Sequence, residues 1–577
     1  MTDINSNMNE KAALIWAIAD KLTGVYKPHE YGEIILPLTV IRRFYCILAA
    51  TKDAVLAKYE EVKETSTKDI FLCRASGKTF YNVSKFTFEK LLDDPDNIEA
   101  NFRDYLNGFS ENVRDIIEKF NFDVHISKMA GKNILFIVIK EFTTTKANLH
   151  PDVIDNRGMG YIFEEIIRRF SESHNEDAGQ HYTPREVIRL MVNIIFNDDS
   201  DILSGSNVVR TIYDPACGTG GMLSVAEDYL HQLNSSAKML LSGQEINDQT
   251  LAICKADMLI KGNDAKEIRD GNTLSDDKFD GRTFDYIMSN PPFGREWKNE
   301  KSKVEAEAKK GFAGRFGYGL PASSDSQLLF LMTAISKMKD VNQGGSRIAI
   351  IHNGSPLFTG DAGSGPSEIR KYIIENDLLE AIIALPNDIF YNTGIATYIW
   401  VLSNKKRGTK REGKIQLINA SNLYEKRRKA LGNKRNDIPQ SAIDEIARIY
   451  GDFSASEISM IFDNEDFGYT KIIIERPLLD DNGRPVIKKG KKEADPARRD
   501  SENVPLKEDI DEYFSREVLP FAPDAWIDRS KSRVGYEIPF TRYFYRYEAP
   551  KPSAEIMTEI LGIAEELSGS LERVFGI

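Results

Sequence analysis

Apolar residues at helical spacing open the chain. From Glu10 to roughly Ala57 they recur as Leu14, Ile15, Ile18 and Leu22, then as Ile34, Ile35, Leu38, Ile41 and Phe44, which keeps one face of a helix apolar. Lys27-Pro28-His29 separates two helices, and amphipathic segments around Phe86 to Leu92, Val113 to Phe120 and Ile134 to Phe142 extend a helical bundle to about residue 150. His150-Pro151-Asp152 marks a boundary, because a residue before proline is pushed out of the helical region. A helix over Asn156 to Ser173 then presents Met159, Ile162, Phe163, Ile166, Ile167 and Phe170 on one side. Thr183 as N-cap, Pro184 at the first helical position and Glu186 in the first turn predict another helix, ending at Ile195.

From there the period changes. Short apolar runs over Val208 to Tyr213, over Met239 to Ser242, up to Asp270 and over Phe284 to Ser289 alternate with helical stretches, and Arg347 to His352, Leu379 to Leu385 and Thr397 to Leu402 follow. That alternation predicts an α/β, Rossmann-like doubly wound sheet. The expected organisation is a helical N-terminal domain (1–150), the α/β domain (151–450) and a C-terminal region (451–577) with a helical tail. In the tail, Ile556, Ile560, Ile563, Leu567 and Leu571 recur at near-heptad spacing over Ala554 to Phe575, a face suited to docking on a partner helix.

Composition narrows the class. A hydrophobic share of 41% and a charged share of 28% over 577 residues are those of a soluble globular protein. The sequence shows no unbroken apolar run of spanning length, and its start lacks the basic and apolar regions of a secretory signal, so a cytoplasmic protein without membrane partners is expected. Cys46, Cys73, Cys217 and Cys254 are too few and too scattered for a disulfide framework or a zinc site, and the seven histidines show no ligand spacing, so no metal is expected. The net charge of −12 is unusual for a chain that grips DNA by itself, since phosphate neutralisation supplies much of such affinity. A DNA surface would be local, or supplied by another subunit.

The candidate chemistry sits where strands end. Phe284 to Ser289 stops at Asn290-Pro291-Pro292-Phe293, a strand followed by a rigid loop. The Asn290 amide and the carbonyls beside the prolines can accept from an exocyclic amine, while Phe293 offers a face to a planar base. Acceptors fixed around a weakly nucleophilic amine stabilise the positive charge it gains on attacking a methyl group. The first strand ends in Asp214-Pro215-Ala216-Cys217-Gly218-Thr219-Gly220-Gly221, a turn unlike a dinucleotide loop because it opens with an acid. That acid would repel phosphate but attract an ammonium, such as that of the methionine part of S-adenosylmethionine. Glu245, 31 residues on, stands where a doubly wound sheet places the acceptor for ribose hydroxyls, and Asp270 ends the third strand as a candidate acceptor from the cofactor's adenine amine. Gln180, His181, Tyr182 and Arg185 cluster around a helix start.

With these residues the chain resembles the S-adenosylmethionine-dependent amino-group DNA methyltransferases, and among them the modification subunits of type I restriction-modification systems. The resemblance rests on Gln180-His181-Tyr182-Thr183-Pro184-Arg185, the Asp214 to Gly221 loop, Glu245 and Asn290 to Phe293, in that order, and covers roughly residues 10 to 450. It implies that the first two motifs and Glu245 bind S-adenosylmethionine and that Asn290 to Phe293 hold an adenine flipped out of double-stranded DNA. It also implies a specificity subunit met by the C-terminal region, a restriction/translocase subunit in the full complex and a second copy of the chain. The last strands would form a hairpin, with Lys405-Lys406-Arg407-Gly408 as its turn.

Cytosine-C5 chemistry requires a nucleophilic cysteine in the catalytic loop, and none is there. Cytosine N4 stays open on chemistry, as do a protein-glutamine or RNA methyltransferase and a non-catalytic DNA-binding scaffold. Two further stretches carry expectations. The Gly-rich segment 294–325 reads as a lid or as a disordered loop, and the basic runs Lys405 to Lys414 and Lys426 to Arg435 read as solvated faces or phosphate contacts.

Overall fold

The helix Tyr31–Leu48 buries nearly its whole length, including Ile34, Ile35, Leu38, Ile41 and Phe44. By length and composition the helical run Pro28–Val62 could cross a bilayer, yet 78% of its most apolar window is buried inside the protein, which makes it a core helix. Arg43, fully buried, donates to the carbonyls of Leu149 and Ile154 and ties that helix to the boundary at residue 150. Shorter helices Ile98–Asn107, Glu111–Lys119, Asp123–Gly131 and Leu135–Thr143 complete the N-terminal bundle. The computed structural model describes residues 17–171, 183–197, 199, 203–391, 393–488, 490–545 and 551–575.

The strands of the α/β region are β1 (Val209–Asp214), β2 (Lys238–Glu245), β3 (Ile268–Asp270), β4 (Tyr286–Ser289), β5 (Arg347–Asn353), β6 (Leu379–Ala384), β7 (Thr397–Ser403) and β8 (Lys414–Asn419). A separate hairpin follows, β9 (Glu425–Leu431) with β10 (Lys434–Asp437), and then β11 (Ser459–Asp463). The main sheet runs β11-β8-β6-β7-β5-β4-β1-β2-β3. Strands β3, β2, β1, β4 and β5 are parallel neighbours, so their carboxyl ends share one edge of the sheet, where open α/β sheets bind ligands. Asp214 pairs with Gly243 and Glu245 with Asp270, which brings the first three strand ends level.

β7 lies antiparallel between β5 and β6. Lys405 to Gly408 therefore does not close a hairpin of β7 with the next strand. It leads to β8, which pairs with β6 on the far side. Most of the first basic run is tied into this corner, Arg407 and Lys410 staying exposed: Lys405 pairs with Asp199 at 2.9 Å, Lys414 with Asp463 at 2.7 Å, and the Lys406 ammonium, 1% exposed, reaches Asp377 at 2.5 Å and the carbonyls of Leu379 and Lys414 at 2.8 Å. Arg411 is buried over the Tyr450 ring, 4.0 Å from its centroid.

One apolar core runs from Ile18 through the N-terminal helices and one face of the sheet to Tyr450. Past it the chain adds strands that the sequence pattern did not announce: β12 (Gly468–Glu475), a small exposed hairpin of β13 (Ile487–Lys488) with β14 (Lys491–Lys492), then β15 (Asp500–Pro505), β16 (Trp526–Ile527) and β17 (Arg533–Tyr536). β12 pairs antiparallel with β15, β16 and β17 over a small core of Ile472, Ile474, Val504, Phe514 and Val518. Residues up to Ile538 form one compact unit; Pro539–Ile577 form a second, with helices Phe540–Phe544 and Ser553–Phe575. On the longer helix Ile556, Ile560, Ile563 and Leu567 are exposed.

Candidate active site

The turn after β1 is shaped by two glycines in the left-handed region, Gly218 at φ +52° and Gly220 at φ +82°, where a side chain would be strained. Gly220 is also packed shut: a Cβ there would lie 2.6 Å from the Cys254 sulfur. Cys217 plays the same part behind β2, its sulfur 2.8 Å from where a Cβ on Gly243 would stand. Both thiols are free, buried packing groups. At Gly218, by contrast, a Cβ would meet nothing within 4 Å, so the backbone faces open space there.

Two cavities adjoin this turn. The larger, about 600 Å³, is lined by Ala216, Gly218, Thr219, Glu245, Asn272, Asn290, Pro292, Phe293 and Arg295, among others. The smaller, about 60 Å³, is lined by Thr183, Asp214, Ala216, Gly218, Thr219, Gly221 and Asn290. Asp214 is 2% exposed and accepts from the Ala216 amide at 3.0 Å and the Ser289 hydroxyl at 2.9 Å. Burial pushes its carboxyl up to about 7 against those two hydrogen bonds, and Glu245 adds to the rise. Glu245 accepts from the amides of Gly218 at 2.8 Å, Asn247 at 2.8 Å and Ile246 at 3.0 Å. Its pKa is raised by burial, with those amides and Arg295 opposing.

On the other wall, Asn290 is 8% exposed and its amide nitrogen donates to the Thr183 hydroxyl at 2.8 Å. With the amide nitrogen placed on Thr183, the Asn290 carbonyl is the acceptor end. Thr183 is thus engaged with Asn290, and it is the Pro184 carbonyl that accepts from Val187 and Ile188 at the start of the helix Arg185–Asn197. Phe293 meets Phe390 edge-on, with centroids 6.1 Å apart. Pro291 is buried and lies outside the cavity lining. Arg185 also stands off the cavities, packed so closely on Gly160 that a Cβ there would lie 2.0 Å from the guanidinium. Gln180, His181 and Tyr182 lie outside the described residues.

The third strand corrects one expectation. Asp270 does not line either cavity; its carboxylate turns to Lys119 of the N-terminal bundle, which also holds Asp248 at 2.9 Å. Gly271, at φ +146°, redirects the chain, and Asn272 faces the cavity instead. Asn272 donates to Glu300 at 2.6 Å, and Arg295 approaches the same carboxylate at 3.4 Å. Both partners come from segment 294–325, which is built rather than loose. It carries the helix Lys301–Ala308, buries Trp297 with its indole donating to the Ala322 carbonyl at 2.9 Å, and buries Arg315 against Glu307 at 2.7 Å and the Thr273 carbonyl at 2.7 Å. Asn272 and Arg295 are lining residues the sequence reading missed, with Glu300 standing behind them. The acid and the arginine so soon after Phe293 were the available signal.

The order of these parts along the chain is that of a described family. The family model "N-6 DNA Methylase" matches residues 155–473, more than half of the chain. The chain belongs to the N-6 DNA methylase family. A second model, the HsdM N-terminal domain, matches residues 11–142, and the two together mark this N-6 DNA methylase as a type I restriction-modification methylase subunit. The MjaIX type I methylase subunit of Methanocaldococcus jannaschii is 25% identical over 479 residues, 77% of either chain. The HindI subunit of Haemophilus influenzae is 27% identical over 374 residues, 64% of this chain and 75% of its own. In fold, the type I methyltransferase subunit from Streptococcus thermophilus matches with a TM-score of 0.61 at 20% identity, over 80% of this chain and 97% of that one.

Proposed function

We propose that this N-6 DNA methylase transfers a methyl group from S-adenosylmethionine to adenine N6 in double-stranded DNA, with the target site read by a separate specificity subunit. The observation that carries the reading is that Asp214, Glu245, Asn290, Pro292 and Phe293 line two adjoining cavities that share Ala216, Gly218, Thr219 and Asn290. The donor set fits the cofactor. Asp214 is an acceptor for an amino-acid ammonium, Glu245 suits ribose hydroxyls, and the Gly218 backbone admits a close ligand. When bound, S-adenosylmethionine supplies an electrophilic methyl on a sulfonium.

The protein's own groups do the rest. Thr183 holds the Asn290 amide so that its carbonyl, with the backbone carbonyls beside the prolines, accepts from the amine of a flipped adenine. Phe293, braced by Phe390, stacks on the base. These acceptors gain strength as the amine becomes positive, which lowers the barrier without tightening ground-state binding. Asn272, fixed by Glu300, takes the place at the cofactor's adenine that Asp270 does not reach. The exposed apolar face of the helix Ser553–Phe575 suits the specificity subunit; a restriction/translocase subunit and a second copy of the chain complete the assembly.

The test is transfer of labelled methyl to mixed-sequence DNA by the chain and by Asn290→Ala, each alone and with the specificity subunit. Label on adenine N6 that falls about 100-fold or more in Asn290→Ala, at unchanged cofactor affinity, is the expected result. Label on protein or RNA instead of DNA would sink the reading, and so would loss of cofactor binding in the parent chain.

A further inference from the structure

Most cations of the second basic run stand in solvent. Six of the thirteen residues 425–437 are Lys or Arg in a chain of net charge −12. They form the hairpin β9–β10, which among the described residues pairs only with itself. Arg427 is engaged by Asp437 and Lys434 is buried at the root. Lys426, Arg428, Lys429 and Arg435 are exposed, and none of the four makes an ion pair among the described residues. The acids of the hairpin do not cancel them: Asp437 is occupied by Arg427 and Lys434, leaving only Glu425 in solvent.

The root of this hairpin is fixed to the elements that hold the target side of the site. Lys434 pairs with Glu186, in the first turn of the helix that follows Thr183, and Thr183 is the partner of Asn290. The Asn433 amide donates to the Tyr391 carbonyl at 2.8 Å and the Arg435 amide to the Asp388 carbonyl at 2.8 Å, while the intervening Phe390 braces Phe293. Four unpaired cations therefore stand on the same supports as Asn290 and Phe293. An adenine drawn out of a duplex brings its flanking phosphates to the protein, and an acidic chain needs local cations to hold them.

We infer that the β9–β10 hairpin is a phosphate clamp for the duplex beside the flipped adenine, gripped by Lys426, Arg428, Lys429 and Arg435. The inference rests on the DNA reading above and adds which surface meets the backbone. Phosphate contacts position without reading sequence, so the clamp acts on target and non-target duplexes alike.

The experiment uses the chain assembled with its specificity subunit and with S-adenosylmethionine bound. Affinity for a mixed-sequence duplex is measured against salt concentration for the parent, for the quadruple alanine variant of Lys426, Arg428, Lys429 and Arg435, and for Glu425→Lys. Each lost phosphate contact lowers the slope of log affinity on log salt by about 0.9, so the quadruple variant is expected to flatten it by about 2–4 and Glu425→Lys to steepen it by about 1. Cofactor affinity and assembly stay at parental values. A parental slope in both variants overturns the clamp while leaving the methyltransferase reading intact, and so does weakened assembly with the slope unchanged, which would assign the charges to the protein partner. A parent complex that neither binds nor methylates DNA overturns both.

Discussion

Two basic runs, Lys405 to Lys414 and Lys426 to Arg435, look alike as strings of letters, yet most cations of the first are tied into the fold and most of the second are not. In the first, Lys406 and Arg411 are buried and every contact described for them serves the corner between β6, β8 and Tyr450. In the second, four of the cations reach solvent from a two-stranded hairpin. A charge taken out of water has to be matched by acceptors around it, whereas a charge left in water needs none and keeps its field for a partner. What separates the two is the company each keeps in the fold. Asp377 and the carbonyls of Leu379 and Lys414 converge on Lys406, and nothing comparable surrounds Lys429.

The sharpest way to break this comparison is Lys406→Ala, expected to cost about 3–5 kcal/mol in denaturant unfolding because it strips a buried ammonium from its acceptors. A loss below 1 kcal/mol would put the first run in the same class as the second. Asp214 extends the contrast to a buried acid. Its principal neighbours are an amide and a hydroxyl, and its carboxyl stands at about 7 in the fold against 3.8 ordinarily. Between those values folding takes up a proton, so the stability of the ligand-free chain falls as pH rises from about 4 to 7, by up to about 4 kcal/mol, and then levels. Asp214→Asn should flatten that profile; in the parent, cofactor affinity should rise over the same range as an ammonium draws the proton off. The smallest effect belongs to Lys429→Ala, expected within about 0.5 kcal/mol of the parent by the same unfolding measurement.

The contrast also shows what was legible in the sequence. Strand ends were, because a short apolar run stopping at Asp214, Glu245 or Asn290 announces its own boundary, and those residues line two adjoining cavities. Asp270 was read by the same rule and misplaced, since the turn at Gly271 hands the inward position to Asn272. Segment 294–325 looked loose because its glycines are visible and its anchors are not: Trp297 and Arg315 find their partners through the fold. The sheet built on β12 escaped for a related reason. Three of its four strands carry little apolar signal: β16 and β17 run only two and four residues, and β15 buries Val504 alone.

The paired contacts behind the turn after β1 have a consequence for descent. Gly220 is small because the Cys254 sulfur is there, and Gly243 is small because of Cys217. Each pair shares one fixed volume between a residue of the turn or β2 and a residue that looks, on its own, dispensable. Shrinking the sulfur partner would clear only part of the space: Gly220 still stands at φ +82°, and a Cβ on Gly243 would still lie 2.9 Å from the Cys217 Cβ. The two glycines are thus held small by the cysteines packed opposite them and, at Gly220, by the backbone as well.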